Sequence, residues 1–84
     1  MLSIEISSAA ADRLLGLPSK QADQIDARIR RLASQPFPPG CIKLAGTLDV
    51  FRVRQGTYRI LYRVRRAENI LVIEAVGDRK DIYR

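Results

Sequence analysis

The sequence contains no histidine and a single cysteine, Cys41. Without imidazole and with one thiol, the donors of a transition-metal site are missing. The usual proton carrier of neutral pH is missing too. One cysteine cannot form an intrachain disulfide, which fits a reducing compartment such as the cytoplasm. No apolar run approaches the length of a membrane span, so no membrane partner is expected. The N-terminal stretch MLSIEISSAAADRLLGL has no basic n-region and carries acids at Glu5 and Asp12, unlike a signal peptide. Repeats and low-complexity tracts are also absent.

What the chain has in excess is arginine. Its 84 residues suit one domain, 1–84, and 46% hydrophobic content argues for a globular chain. A domain of this size buries roughly 60–65% of its extended surface, so its stability margin is thin. The net charge is +6, and the imbalance sits in the second half. Residues 1–41 carry five basic and four acidic side chains, and residues 42–84 carry ten and five. Twelve of the fifteen cations are Arg, whose planar fork favours bidentate recognition of phosphate. An anionic partner is therefore expected.

Periodicity places these charges on a fold. Leu2–Ile6 alternates as a short strand, and Ser7 or Ser8 can cap a helix over Ala9–Leu15 that Gly16 ends. That helix should bury Ala10 and Leu14, with Ala11 and Leu15 beside them. Pro18 and Ser19 start a second helix running to about Gln35, with Ala22, Ile25, Ile29, Leu32 and Ala33 at core spacing. Arg28, Arg30 and Arg31 read there as a solvated helix face. The stretch PFPPG at 36–40 stops the helix. Strands follow at Ile42–Leu44, Leu48–Arg54, Thr57–Arg66 and Ile70–Val76. A strand, a helical hairpin and an antiparallel meander make an α+β domain, with the helices packed on one face of the sheet.

The segment FRVRQGTYRILYRVRR, residues 51–66, holds six arginines. A two-residue turn at Gln55-Gly56 pairs residues whose numbers sum to 111, setting Arg52 opposite Arg59. A turn at Ala67-Glu68 gives a sum of 135, pairing Val64 with Leu71, Tyr62 with Ile73 and Ile60 with Ala75. One face then collects Phe51, Val53, Tyr58, Ile60, Tyr62, Val64, Leu71 and Ile73. The other collects Arg52, Arg54, Arg59, Arg63 and Arg65, with Glu74 beside Leu61. A merely solvated polar face accounts for some of these cations. It does not account for Arg52, Arg54 and Arg59 together, which suit a bound phosphate. Simple alternation puts Gly77 and Arg79 on the core side, so Gly77 must redirect the chain if Arg79 is to join the cluster.

KLAG at 43–46, FRVR at 51–54, GTYR at 56–59, VGDR at 76–79 and DIYR at 81–84 occur in that order. Together with LPSK in the helical hairpin, this order resembles the RelE branch of the RelE/ParE toxin superfamily over essentially the whole chain. The resemblance implies the toxin of a type II toxin–antitoxin pair, an mRNA endonuclease acting in the ribosomal A site. It implies the 2′-hydroxyl as internal nucleophile and neither metal nor other cofactor. It assigns Arg52, Arg54, Arg59, Arg79 and Tyr83 as catalytic, and Lys43, Arg63, Lys80 and Arg84 are expected on the substrate phosphates. Tyr83, backed by Lys80, is the candidate proton carrier. Where many members have His after Val-Gly, this chain has Asp78, and where some have Lys at 52 or 54 it has Arg. The implied partners are a RelB-like antitoxin, the ribosome with its mRNA, and operator DNA bound as the toxin–antitoxin complex. Two other readings remain open at this point: a ParE-like inhibitor that binds DNA gyrase, and a non-catalytic RNA-binding domain.

Overall fold

Alternation and turn chemistry together build a five-stranded sheet with two helices on one face. The computed structural model describes residues 1–44, 46 and 49–78. Its elements are β1 (Ser3–Ile6), α1 (Ser8–Leu15), α2 (Ser19–Ser34), β2 (Ile42–Lys43), β3 (Val50–Gln55), β4 (Tyr58–Arg65) and β5 (Ile70–Asp78). The sheet order is β1-β5-β4-β3-β2. The meander β2 to β5 is antiparallel as expected, and β1 joins the edge of β5 in parallel, making the sheet mixed.

Ser7 caps α1: its side chain accepts from Ala10 N. Ala10 is fully buried and Leu14 packs on the core, whereas Leu15, expected beside them, is 85% exposed. From α2 come Ile25, Ile29, Leu32 and Ala33, which meet Val53, Ile60, Tyr62, Leu71, Ile73 and Val76 of the sheet. Ile4 and Ile6 pair with Leu71 and Ile73, so they share the helix-side face, but their edge position leaves both exposed. On the outer surface of α2, Arg30 pairs with Asp26 at 3.0 Å, in keeping with a solvated face.

The first hairpin differs in register from the expectation. Gln55 pairs with Tyr58, so the two loop residues are Gly56 and Thr57. Gly56 has φ +62°, the left-handed conformation that a primed turn requires at its first loop position. The conformational freedom of Gly56 therefore fixes the turn one residue later than the sequence reading put it. Partners now sum to 113, so Arg54 faces Arg59 and Arg52 faces Leu61. A shift of two in the sum leaves every side chain on its expected face. The second hairpin pairs Val64 with Leu71 and Tyr62 with Ile73, as expected. Asn69, at φ 59°, closes its loop through Asn69 N to Arg66 O at 3.1 Å.

Tyr62 ties the proline loop to the sheet. Its hydroxyl donates to Pro36 O at 2.6 Å, and Phe51 lies tilted against its ring and edge-on to Phe37. Arg66 lies 5.3 Å from the Phe37 ring centroid, so one of the hairpin's arginines is engaged in a cation–π contact. Burial pushes the Tyr62 phenol well above its ordinary value, a direction reinforced by the neighbouring Cys41. The protonated form is thus favoured by folding. Its contribution is fully present below about pH 10 and is lost as the pH rises above that value toward the folded-state pKa. Tyr62→Phe should cost about 1–2 kcal/mol in urea unfolding at neutral pH. It should also flatten the alkaline decline of stability seen in the wild type.

Candidate functional site

The face of the sheet away from the helices is where the cations gather. Arg52 and Arg54 of β3 and Arg59, Arg63 and Arg65 of β4 all alternate onto it. Arg54 stands directly opposite Arg59, and Leu61 stands between Arg59 and Arg63 and directly opposite Arg52. The guanidinium-bearing residues thus surround one apolar side chain. Arg52 and Arg63 are half-buried, Arg54 is exposed, and Arg59 is only 5% exposed.

Acids lie at one end of this face. Glu74 Oε1 is 3.0 Å from Arg63 Nε, and Glu68 is 3.9 Å from Arg65. At the other end, the β4 and β5 residues that alternate onto this face beside Arg59 are Leu61, Ala75 and Gly77. That end carries Arg52, Arg54 and Arg59.

The β5 side of the face corrects the sequence reading. Pairing runs Tyr62–Ile73 and then Leu61–Ala75, so Glu74 is an extra residue in a β-bulge. Ile60 consequently pairs with Val76 instead of Ala75. From there on the phase of β5 is reversed: Val76 is buried against the helices, and Gly77 lies opposite Arg59 on the arginine face. Gly77 itself thus stands on the arginine face, where simple alternation had put it on the core side. The bulge is fastened from β1 and α1. Ser7 N donates to Ile73 O at 2.9 Å, and Ser7 Oγ donates to Glu74 O at 2.7 Å.

Lys43, expected on the substrate phosphates, pairs with Phe51 and so lies on the helix-side face rather than with the arginines. Arg79, Lys80, Tyr83 and Arg84 lie outside the described residues. Sequence reasoning did not find Ala75 and Gly77 as site residues. Their small size was visible, but their phase depends on the bulge. Among the described residues no group of three or more Cys, Asp or Glu side chains could hold a metal ion. No described helix is long and apolar enough to cross a membrane. A cleft of about 500 Å³ opens at the corner between α1 and α2, lined by Asp12, Arg13, Leu17 and Tyr58. Its charges are mixed in sign.

The sequence model of the family described as ParE toxin of type II toxin–antitoxin systems matches residues 4–83. The chain belongs to the RelE/ParE toxin superfamily. Among relatives of this superfamily, RelE1 of Methanocaldococcus jannaschii is 27% identical over 98% of this chain and 94% of its own. Toxin RelG of Mycobacterium tuberculosis is 50% identical over 42 residues, half of this chain and 45% of that protein. The chain thus spans about half the length of that relative in the matched region. The toxin–antitoxin complex RelBE2 of Mycobacterium tuberculosis contains a chain with the same fold. Its TM-score is 0.82 at 25% identity, covering 93% of this chain and 98% of that one.

Directly opposed like charges cost roughly 0.2–1 kcal/mol. Arg54→Gln should therefore raise stability by about that amount, read as a higher urea midpoint with an unchanged slope. Added salt should stabilise the wild type more than the variant, because screening relieves the repulsion only where both charges are present.

Proposed function

We propose that this toxin is an endonuclease that cleaves mRNA in the ribosomal A site, with the arginine face as its catalytic surface. The observation that carries this reading is the grouping of Arg52, Arg54 and the buried Arg59 around Leu61 and Gly77. In such a site the 2′-hydroxyl of the substrate attacks the adjacent phosphorus in line. The new P–O bond closes a 2′,3′-cyclic phosphate as the bond to the 5′-oxygen breaks. Negative charge builds on the non-bridging oxygens, and fixed guanidinium donors stabilise it without giving up a proton. Arg59 is the central donor, held by the sheet and sheltered from water, where its hydrogen bonds are strongest. Ala75 and Gly77 leave room for a ribose-phosphate backbone beside it.

The proton of the 2′-hydroxyl and the proton needed by the 5′-oxygen require a separate carrier. Tyr83 fills that role, with Lys80 behind it and Arg79 on the phosphate. Tyr62 is unsuited to the role, since burial holds its phenol in the protonated form and its hydroxyl is committed to Pro36.

The partner that silences the toxin is a RelB-like antitoxin. Support comes from solved neighbours such as RelBE2 of Mycobacterium tuberculosis, which is a toxin–antitoxin complex. The antitoxin lays an amphipathic helix against this domain and blocks or distorts the arginine face. The complex binds operator DNA, and the free toxin meets mRNA on the ribosome in the cytoplasm.

Arg59→Ala should lower single-turnover mRNA cleavage on ribosomes by about 10²–10³-fold, the usual loss for one transition-state donor. Arg79→Ala and Tyr83→Phe should also relieve growth arrest while the protein stays folded. Full toxicity in all three variants would overturn the proposal. The family description as a ParE toxin favours a second reading, inhibition of DNA gyrase by protein binding. Primer extension after induction separates the two: cuts at A-site codons support the nuclease, whereas DNA damage with intact mRNA supports the gyrase inhibitor.

A further inference from the structure

Ser7 sits far along the chain from the arginines, yet its hydroxyl joins two features that bear on them. It accepts from Ala10 N at 3.1 Å, capping α1, and donates to Glu74 O at 2.7 Å, holding the carbonyl of the bulged residue. Its amide also donates to Ile73 O, the residue before the bulge. The bulge decides what flanks Arg59. With it, Ala75 and Gly77 stand opposite Leu61 and Arg59. Without it, the pairing that runs through Tyr62–Ile73 would continue and set Glu74 opposite Leu61 and Val76 opposite Arg59. A carboxylate and a branched side chain would then occupy the ground that a phosphate needs. The inserted residue instead sends Glu74 to Arg63 and Val76 into the core.

We propose that Ser7 is a positioning residue for the arginine face: its hydroxyl pins the β5 bulge and so sets which β5 residues lie beside Arg59. This rests on the nuclease reading for its functional consequence and on geometry alone for its structural one. A bulge inserts an unpaired residue into the ladder and locally weakens pairing. The Ser7 bond gives the carbonyl at that irregular point a fixed partner. Helix and bulge share one hydroxyl, so the entry of the chain into α1 and the phase of β5 are set together.

Two substitutions separate the capping and pinning roles. Ser7→Asp still caps a helix well but has no proton to donate to Glu74 O. Ser7→Gly costs little as a cap, adds no charge, and also lacks the donor. Ser7→Thr keeps both roles. Full-length variants would be compared by NMR for cross-strand contacts from Arg59 to Gly77 and from Leu61 to Ala75, and by mRNA cleavage on ribosomes. The expected result is wild-type behaviour in Ser7→Thr. In Ser7→Asp and Ser7→Gly those contacts should be lost or weakened and cleavage should fall by about 10²-fold, as a misplaced site would give. Retained contacts in both donor-less variants would overturn the proposal, and so would lost contacts with cleavage unchanged. If the wild type leaves mRNA whole, the nuclease reading falls, while the NMR contacts still decide whether Ser7 sets the phase of β5.

Discussion

Side chains along a strand point alternately to opposite faces, and in β3 and β4 that alternation separates apolar residues from cations. Val53, Ile60 and Tyr62 go under the helices, and Arg52, Arg54, Arg59 and Arg63 go to the other side. The two consequences differ in size. Fully burying one large apolar side chain contributes about 1.5–3 kcal/mol, and an opposed pair of like charges costs roughly 0.2–1 kcal/mol. Burial of Ile60 alone therefore outweighs the Arg54–Arg59 repulsion. The core can hold the strands in a register that crowds their outer face with charge.

Alternation alone would not give a usable surface. In β5 the sequence ILVIEAVGD is apolar at nearly every position, so uninterrupted pairing would set Glu74 and Val76 beside Leu61 and Arg59. The bulge at Glu74 exchanges them for Ala75 and Gly77 and moves the carboxylate to Arg63. The same inserted residue buries Val76 and sets Gly77 opposite Arg59. Electrostatics and packing thus favour the same irregularity, and Ser7 supplies its hydrogen-bond partner from the start of α1.

What could be read from sequence follows from which signals have a local cause. The division into faces was legible because Phe51, Val53, Ile60 and Tyr62 alternate strictly with arginines, and an even shift in register preserves it. The first register itself was not, because whether Gly56 takes the first or second loop position depends on its positive φ, which the letters Gln-Gly do not fix. The bulge was illegible for a different reason: with Ile70, Leu71, Val72 and Ile73 all apolar, a change of phase leaves no mark on the hydrophobic pattern. The face on which Lys43 lies follows from its pairing with Phe51, which motif order does not reveal. The parallel pairing of β1 with β5 depends on a long-range neighbour that alternation within Leu2–Ile6 cannot name.

Arg59 shows why stability is not the explanation of this face. A guanidinium that is 5% exposed has given up most of its hydration, and an apolar residue of similar volume is often tolerated as well or better at such a position. Leu61 and Ala75 on the same face show that apolar side chains fit this part of the sheet. Keeping a cation there sets it directly across from the like charge of Arg54. The arrangement gains when an anion approaches, since the sheltered positive charges interact with it more strongly than exposed ones would. A phosphate that becomes more negative during reaction gains most of all. The sheltered position of Arg59, permitted by the core around Ile60 and Tyr62, is the one that would suit a transition-state donor under the nuclease proposal.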